Sequence, residues 1–171
     1  MTTALLVTDA QRNMFEPQPV YRGDAVRSII RTLIHRARAQ NVPVIYMQHC
    51  GGPGEPDEPG TTGWVIHPDL APAEDDVVLK KQTPDSFHQT QLVNVLTKRN
   101  VSRLIIAGMQ TEFCIDTTCR RACSLGYQVI LVADAHSTFD ATIPAPQIIT
   151  HHNDILKAFA TIIPAAEIDF T

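Results

Sequence analysis

Cys114 has the sequence surroundings best suited to chemistry. It follows a strand-like run at residues 103–107 and a turn at 108–111, and a helix-like run at 115–125 begins directly after it. A thiol at a helix N-terminus meets unpaired backbone N–H groups and the positive end of the macrodipole, both of which favour the nucleophilic thiolate. Two further reactive residues close strand-like runs: Asp9 after residues 4–8, and Lys81 after residues 77–80. If those three strands are parallel, an acid, an amine and a thiol meet at one sheet edge, where open α/β folds build their ligand sites.

Each of these residues also has a plainer reading. Position alone leaves Cys114 open between a catalytic thiol and a packed one, although strand-to-helix elbows present nucleophiles above other α/β sheets. Asp9 can be a helix cap or loop carboxylate. Lys80 and Lys81 are adjacent, strand alternation sends one of them to solvent, and periodicity does not say which. Cys119 lies on the apolar stripe of its helix, with Cys123 one turn further on, so both read as small packed residues. The spacing C-x4-C-x3-C along one helix is not that of a zinc site, and no metal is expected there.

The elements that must position these groups alternate along the chain. Strand-like runs fall at residues 4–8, 43–48, 77–80, 103–107, 127–132 and 161–163. Between the first two, Val26, Ile29, Ile30, Leu33, Ile34 and Ala37 recur at helical spacing, as do Leu92, Val95 and Leu96 before the fourth. A third helix runs from Ile115 towards Gly126, and a fourth carries Ile148, Ile149, Ile155 and Leu156. This βα alternation specifies an α/β fold, a doubly wound, mainly parallel six-stranded sheet with helices on both faces. Residues 50–63, rich in Gly and Pro, admit no regular element; they leave the second strand at the edge of the expected site and read as a substrate lid or a surface excursion.

The chain has 171 residues, 44% of them hydrophobic, and a net charge of -4, which suits one domain over 1–171 and gives no electrostatic reason for nucleic acid or an anionic membrane as partner. The four cysteines are too clustered for a secreted disulfide framework, and no apolar run nears the ~20 residues that span a bilayer, so a cytoplasmic protein is expected. Arg22, Arg27, Arg31, Arg36 and Arg38 give the first helix a basic face, read as solvated rather than phosphate-binding.

Several segments, in order over nearly the whole chain, resemble the motifs of the isochorismatase-like cysteine hydrolases. Val7-Thr-Asp-Ala-Gln-Arg-Asn-Met-Phe15 is similar to their opening Asp-x-Gln-Asn-Asp-Phe signature, with Ala10 and Arg12-Asn13 as departures. Residues 78–92 resemble their Lys-(x)5-Phe-x-x-Thr-x-Leu segment, and counting back from Phe87 selects Lys81. Residues 107–115 resemble their Gly-x-x-Thr-x-x-Cys-Val elbow, and Asp134-Ala-His-Ser-Thr138 matches a further stretch.

The resemblance implies a Rossmann-like three-layer sandwich and an Asp9, Lys81, Cys114 triad, in which Asp9 moves the thiol proton and Lys81 favours both charged partners. It implies a cis peptide between Met109 and Gln110 and an oxyanion hole from the backbone N–H groups of Gln110 and Cys114. Gln11, Phe15, Trp64, Phe87 and Phe113 are candidate walls of the substrate pocket. Metal-dependent members of the family have Asp-x-His after the second strand; this chain has Gln48-His49-Cys50, so His49 and His67 read as loop or pocket histidines and no metal or cofactor is expected. Of His151 and His152, one is expected to pack and one to face solvent. The implied activity is hydrolysis of a C–N bond in a small amide, lactam or ureido compound by a homo-oligomer. The alternatives are a vinyl ether hydrolase, which needs a carboxylate but no thiol, and a non-catalytic oligomeric binding or scaffold protein on the same fold.

Overall fold

The computed structural model of the chain describes residues 2–170. Six strands form one sheet: β1 (Thr2–Thr8), β2 (Val44–His49), β3 (Val77–Lys81), β4 (Val101–Met109), β5 (Gln128–Ser137) and β6 (Thr161–Ile163). Their order is β3-β2-β1-β4-β5-β6 and every pairing is parallel. The crossovers carry α1 (Gly23–Ala39), α2 (Leu92–Lys98), α3 (Asp116–Ser124) and α4 (Ala145–Ile155).

Strand alternation divides the core between the two faces. Leu5 and Val7 of β1 pack with Val26, Ile30, Leu33 and Ala37 of α1, while Ala4 and Leu6 pack with Leu92, Leu96, Ile115 and Cys119 on the other side. Both faces of the central strands are therefore covered, which is why β1 and β4 read as unbroken apolar runs. The chain lays down β1 to β3 in one direction and β4 to β6 in the other, so β1 and β4 flank the point where the winding reverses. That switch point is where such sheets leave a crevice beyond the strand ends, and Thr8 pairs with Gly108 there.

Two expectations needed correction. β5 runs five residues past its expected end, because its register against β4 shifts between Ile106–Leu131 and Gly108–His136, and the strand resumes through the polar pair Asp134 and His136. The basic face of α1 is only partly solvated. Arg22 and Arg31 are exposed, but Arg27 spans Asp24 and Asp69 over the Phe15 ring, Arg36 donates to the carbonyls of Ala165 and Ile168, and Arg38 pairs with Asp76. These arginines tie α1 to distant segments of the chain.

Candidate active site

Three strand ends converge at the switch point. Asp9 follows β1 with a left-handed backbone (φ 49°), a conformation uncommon for a non-glycine residue and met mainly where the surroundings enforce it. Lys81 is the last residue of β3 and pairs in register with His49 of β2. Its ammonium lies 2.8 Å from Asp9 Oδ2 and 3.1 Å from Cys114 Sγ, and it also donates to the Thr83 carbonyl at 3.1 Å. Asp9 and Lys81 are each 2% exposed and Cys114 9%. Lys80 points to solvent, with its ammonium 5.1 Å from the centre of the Trp64 ring.

Cys114 lies one turn later in its helix than the sequence suggested. Residues Thr111–Ile115 form a π-helical turn closed by the Ile115 N–H donating to the Gln110 carbonyl, and the turn runs directly into α3. The thiol is the fourth residue of that turn, and Cys119 is fully buried in the core behind it. The Met109–Gln110 peptide is cis, as is Glu16–Pro17. Gly108 leads into the elbow with φ 127° and passes so close to β1 that a Cβ there would lie 1.9 Å from the Thr8 carbonyl oxygen.

The electrostatics favour a neutral thiol at rest. Burial pushes the Cys114 thiol up to about 12, the Asp9 carboxylate adds to the rise, and Lys81 only partly opposes it. Burial alone would lower Lys81, yet Asp9 and the sulfur hold it above the ordinary lysine range. The cluster therefore rests as an ammonium between a carboxylate and a neutral thiol. Asp9 Oδ1 is buried without a hydrogen-bond partner.

A cavity of about 410 Å³ opens over the sulfur. Asp9, Cys114, Gln110 and Phe113 line it, together with Asn13, noted in the sequence as a departure from the opening motif, and Asp57, which sequence reasoning did not single out. Four expected wall residues do other work. Gln11 is a buried tie: its amide donates to the carbonyls of His49 and Trp64 and accepts from the His49 N–H. Phe15 packs in the core with its ring edge on His67. Phe87 stacks on Tyr127. Trp64 is half-buried, covered by Lys80, and its carbonyl receives Gln11 and Gln48.

His49 lines the cavity, with Nδ1 3.4 Å from the Lys81 ammonium, whereas His67 packs against Phe15. Among the described residues no group of three or more His, Cys, Asp or Glu side chains is placed to hold a metal ion. The Gly/Pro-rich stretch folds down over the site, and its Pro56 and Asp57 form part of the wall. Behind the elbow, His136 bridges Thr111 Oγ1 and Asn153 Oδ1, both at 2.9 Å. On α4, His151 is exposed and His152 is half-buried against Ile148.

Comparison with known proteins gives this geometry a family. The chain is 38% identical over 143 residues to streptothricin hydrolase from Streptomyces noursei, covering 83% of this chain and 56% of that one. It spans about half the length of the streptothricin hydrolases it matches. It is 27% identical to a ureidoacrylate amidohydrolase from Azorhizobium caulinodans, covering 78% of this chain and 75% of that one. A solved cysteine hydrolase from Pseudomonas syringae pv. phaseolicola superposes with a TM-score of 0.89 at 27% identity, over 96% of this chain and 89% of that one. A family model described as the isochorismatase domain matches residues 3–167, and the chain belongs to the isochorismatase family.

Proposed function

We propose that the chain is a cysteine hydrolase that cleaves a C–N bond in a small amide, lactam or ureido compound through a thioester on Cys114. The observation that carries this reading is the buried Lys81 ammonium held between Asp9 Oδ2 and Cys114 Sγ at 2.8 and 3.1 Å. A lysine there stabilises whichever neighbour carries the negative charge, so the proton can pass from sulfur to carboxylate without leaving an uncompensated anion. Asp9 Oδ1, which has no other partner, is the oxygen that receives it.

The sulfur then attacks the substrate carbonyl carbon, and the developing oxyanion is met by the backbone N–H groups of Gln110 and Cys114. Collapse of the tetrahedral adduct breaks the C–N bond as protonated Asp9 delivers its proton to the leaving nitrogen. Water completes the cycle: Asp9 takes a proton from it, hydroxide adds to the thioester, and the thiol regains the proton as the acid departs. No step calls for a metal or an organic cofactor. The chain's similarity to a streptothricin hydrolase and a ureidoacrylate amidohydrolase supports the reaction class. The four cysteines, all free, suit a cytoplasmic setting, and no helix among the described residues is long and apolar enough to cross a membrane.

The test is a screen of amide, lactam and ureido compounds with wild type, Cys114→Ala and Cys119→Ala. Cys114→Ala is expected to lower kcat by more than about a thousandfold with the fold retained, and Cys119→Ala to keep turnover while losing about 1 kcal/mol of stability. Wild-type turnover in Cys114→Ala would overturn the thioester and favour a carboxylate-only mechanism.

A further inference from the structure

The geometry points to a cation-recognition subsite in the cavity: Asp57, at the base of the Gly/Pro-rich loop, selects substrates that carry an ammonium or guanidinium group beside the scissile bond. The inference rests on the hydrolase reading above and adds the substrate's charge to it.

Charge balance is the first argument. Among the described residues two carboxylates, Asp9 and Asp57, line the cavity, and no lysine or arginine does. Asp9 is neutralised from behind by Lys81. Asp57 is 8% exposed, and among the described residues its carboxylate has neither an ion pair nor a hydrogen-bond donor. Its oxygens keep contact with solvent, and the cavity that Asp57 lines is the side from which a positive group can reach them. Asn13 on the same wall has a buried amide oxygen that likewise meets no protein donor. The charged side chains of the wall are thus all acidic, which suits a cationic group on the substrate better than an anionic one.

The second argument is that the loop is built to hold this carboxylate in place. The Gly51 N–H donates to the Asp57 carbonyl at 3.0 Å, and Asp57 Oδ1 lies so close over Gly51 that a Cβ there would sit 2.2 Å from it. At the other end of the loop, a Cβ on Gly63 would sit 2.2 Å from the carbonyl oxygen of Pro56, the residue before Asp57. Thr61 Oγ1 donates to that same carbonyl. Two glycines and a threonine therefore pack the Pro56–Asp57 corner against the rest of the loop, so the charge belongs to a fixed wall.

The test reads access to Cys114 and needs no substrate. Wild type, Asp57→Asn and Asp57→Glu are treated with 2-aminoethyl and 2-sulfonatoethyl methanethiosulfonate, which are cationic and anionic thiol reagents of similar size. Labelling of the Cys114 peptide is followed by mass spectrometry, and the ratio of the two rates cancels changes in the thiol's intrinsic reactivity. The ratio is expected to favour the cation in wild type, to fall about fivefold or more in Asp57→Asn and to be retained in Asp57→Glu. An unchanged ratio in Asp57→Asn overturns the subsite, as does an equal fall in both variants, since shape rather than charge would then be responsible. Because no turnover is measured, failure here leaves amide hydrolysis standing, and an inactive wild type in the substrate screen leaves this ratio readable.

Discussion

Asp9 and Lys81 pull the thiol in opposite directions, and their opposition can be measured. The ionised carboxylate disfavours a second negative charge on sulfur and the ammonium favours it, while burial outweighs both and holds the thiol protonated. Asp9→Asn removes one of the raising causes, so iodoacetamide should alkylate Cys114 at a lower pH than in wild type, yet turnover should be lost because the leaving nitrogen receives no proton. Lys81→Ala should move alkylation to higher pH and also abolish turnover. Mass-spectrometric alkylation profiles beside a kinetic assay check both arms, and Asp9→Asn turning over at the wild-type rate would remove the mechanism. The three residues were legible because each closes or follows an apolar run, a position that one-dimensional periodicity marks. Choosing Lys81 over Lys80 took the resemblance, since alternation alone fits either phase. Asp57 was not legible: it sits between Glu55 and Glu58 in a loop without periodicity, and only the folded loop shows that one of the three acids turns inward.

At the scale of elements, the approach of β4 to β1 sets where the elbow begins. Gly108 pairs with Thr8, and the backbone passes the Thr8 carbonyl with no room for a side chain. Gly108→Ala should therefore cost about 3 kcal/mol or more in denaturant unfolding and should also impair turnover, because the strand that carries the elbow must move. Gly126→Ala is the control: φ there is also positive at 88°, but nothing lies within 4 Å, so the expected loss is about 1 kcal/mol. Equal losses at the two sites would show that backbone conformation, and not the strand contact, governs Gly108. The strands and α1 were readable from apolar spacing. The full length of β5 and the π-helical turn were not, because the first depends on a register shift against a neighbouring strand and the second on an i to i+5 hydrogen bond that leaves no residue pattern.

For the molecule as a whole, buried polar bridges join the layers, and one of them titrates in a useful range. His136 of β5 touches Thr111 of the elbow and Asn153 of α4, so three elements share one imidazole. Burial drives its pKa down from 6.5 to about 4, with the Asn153 hydrogen bond opposing that fall. The folded pKa lies below the unfolded one, so between about pH 6.5 and 4 the unfolded chain binds the extra proton. The stability contributed by the neutral imidazole is thus fully present above pH 6.5 and is lost as pH falls through about 4, an effect on the order of 3 kcal/mol. His67, lowered chiefly by its burial, adds in the same direction. Urea unfolding measured at intervals from pH 7.5 to 4 should show stability falling with acid, and His136→Gln should flatten most of that slope whatever it does to stability at neutral pH. The remaining slope belongs to His67 and the carboxylates. An identical slope in wild type and His136→Gln would mean that the bridge is not held neutral, and that the elbow, β5 and α4 are joined by packing alone.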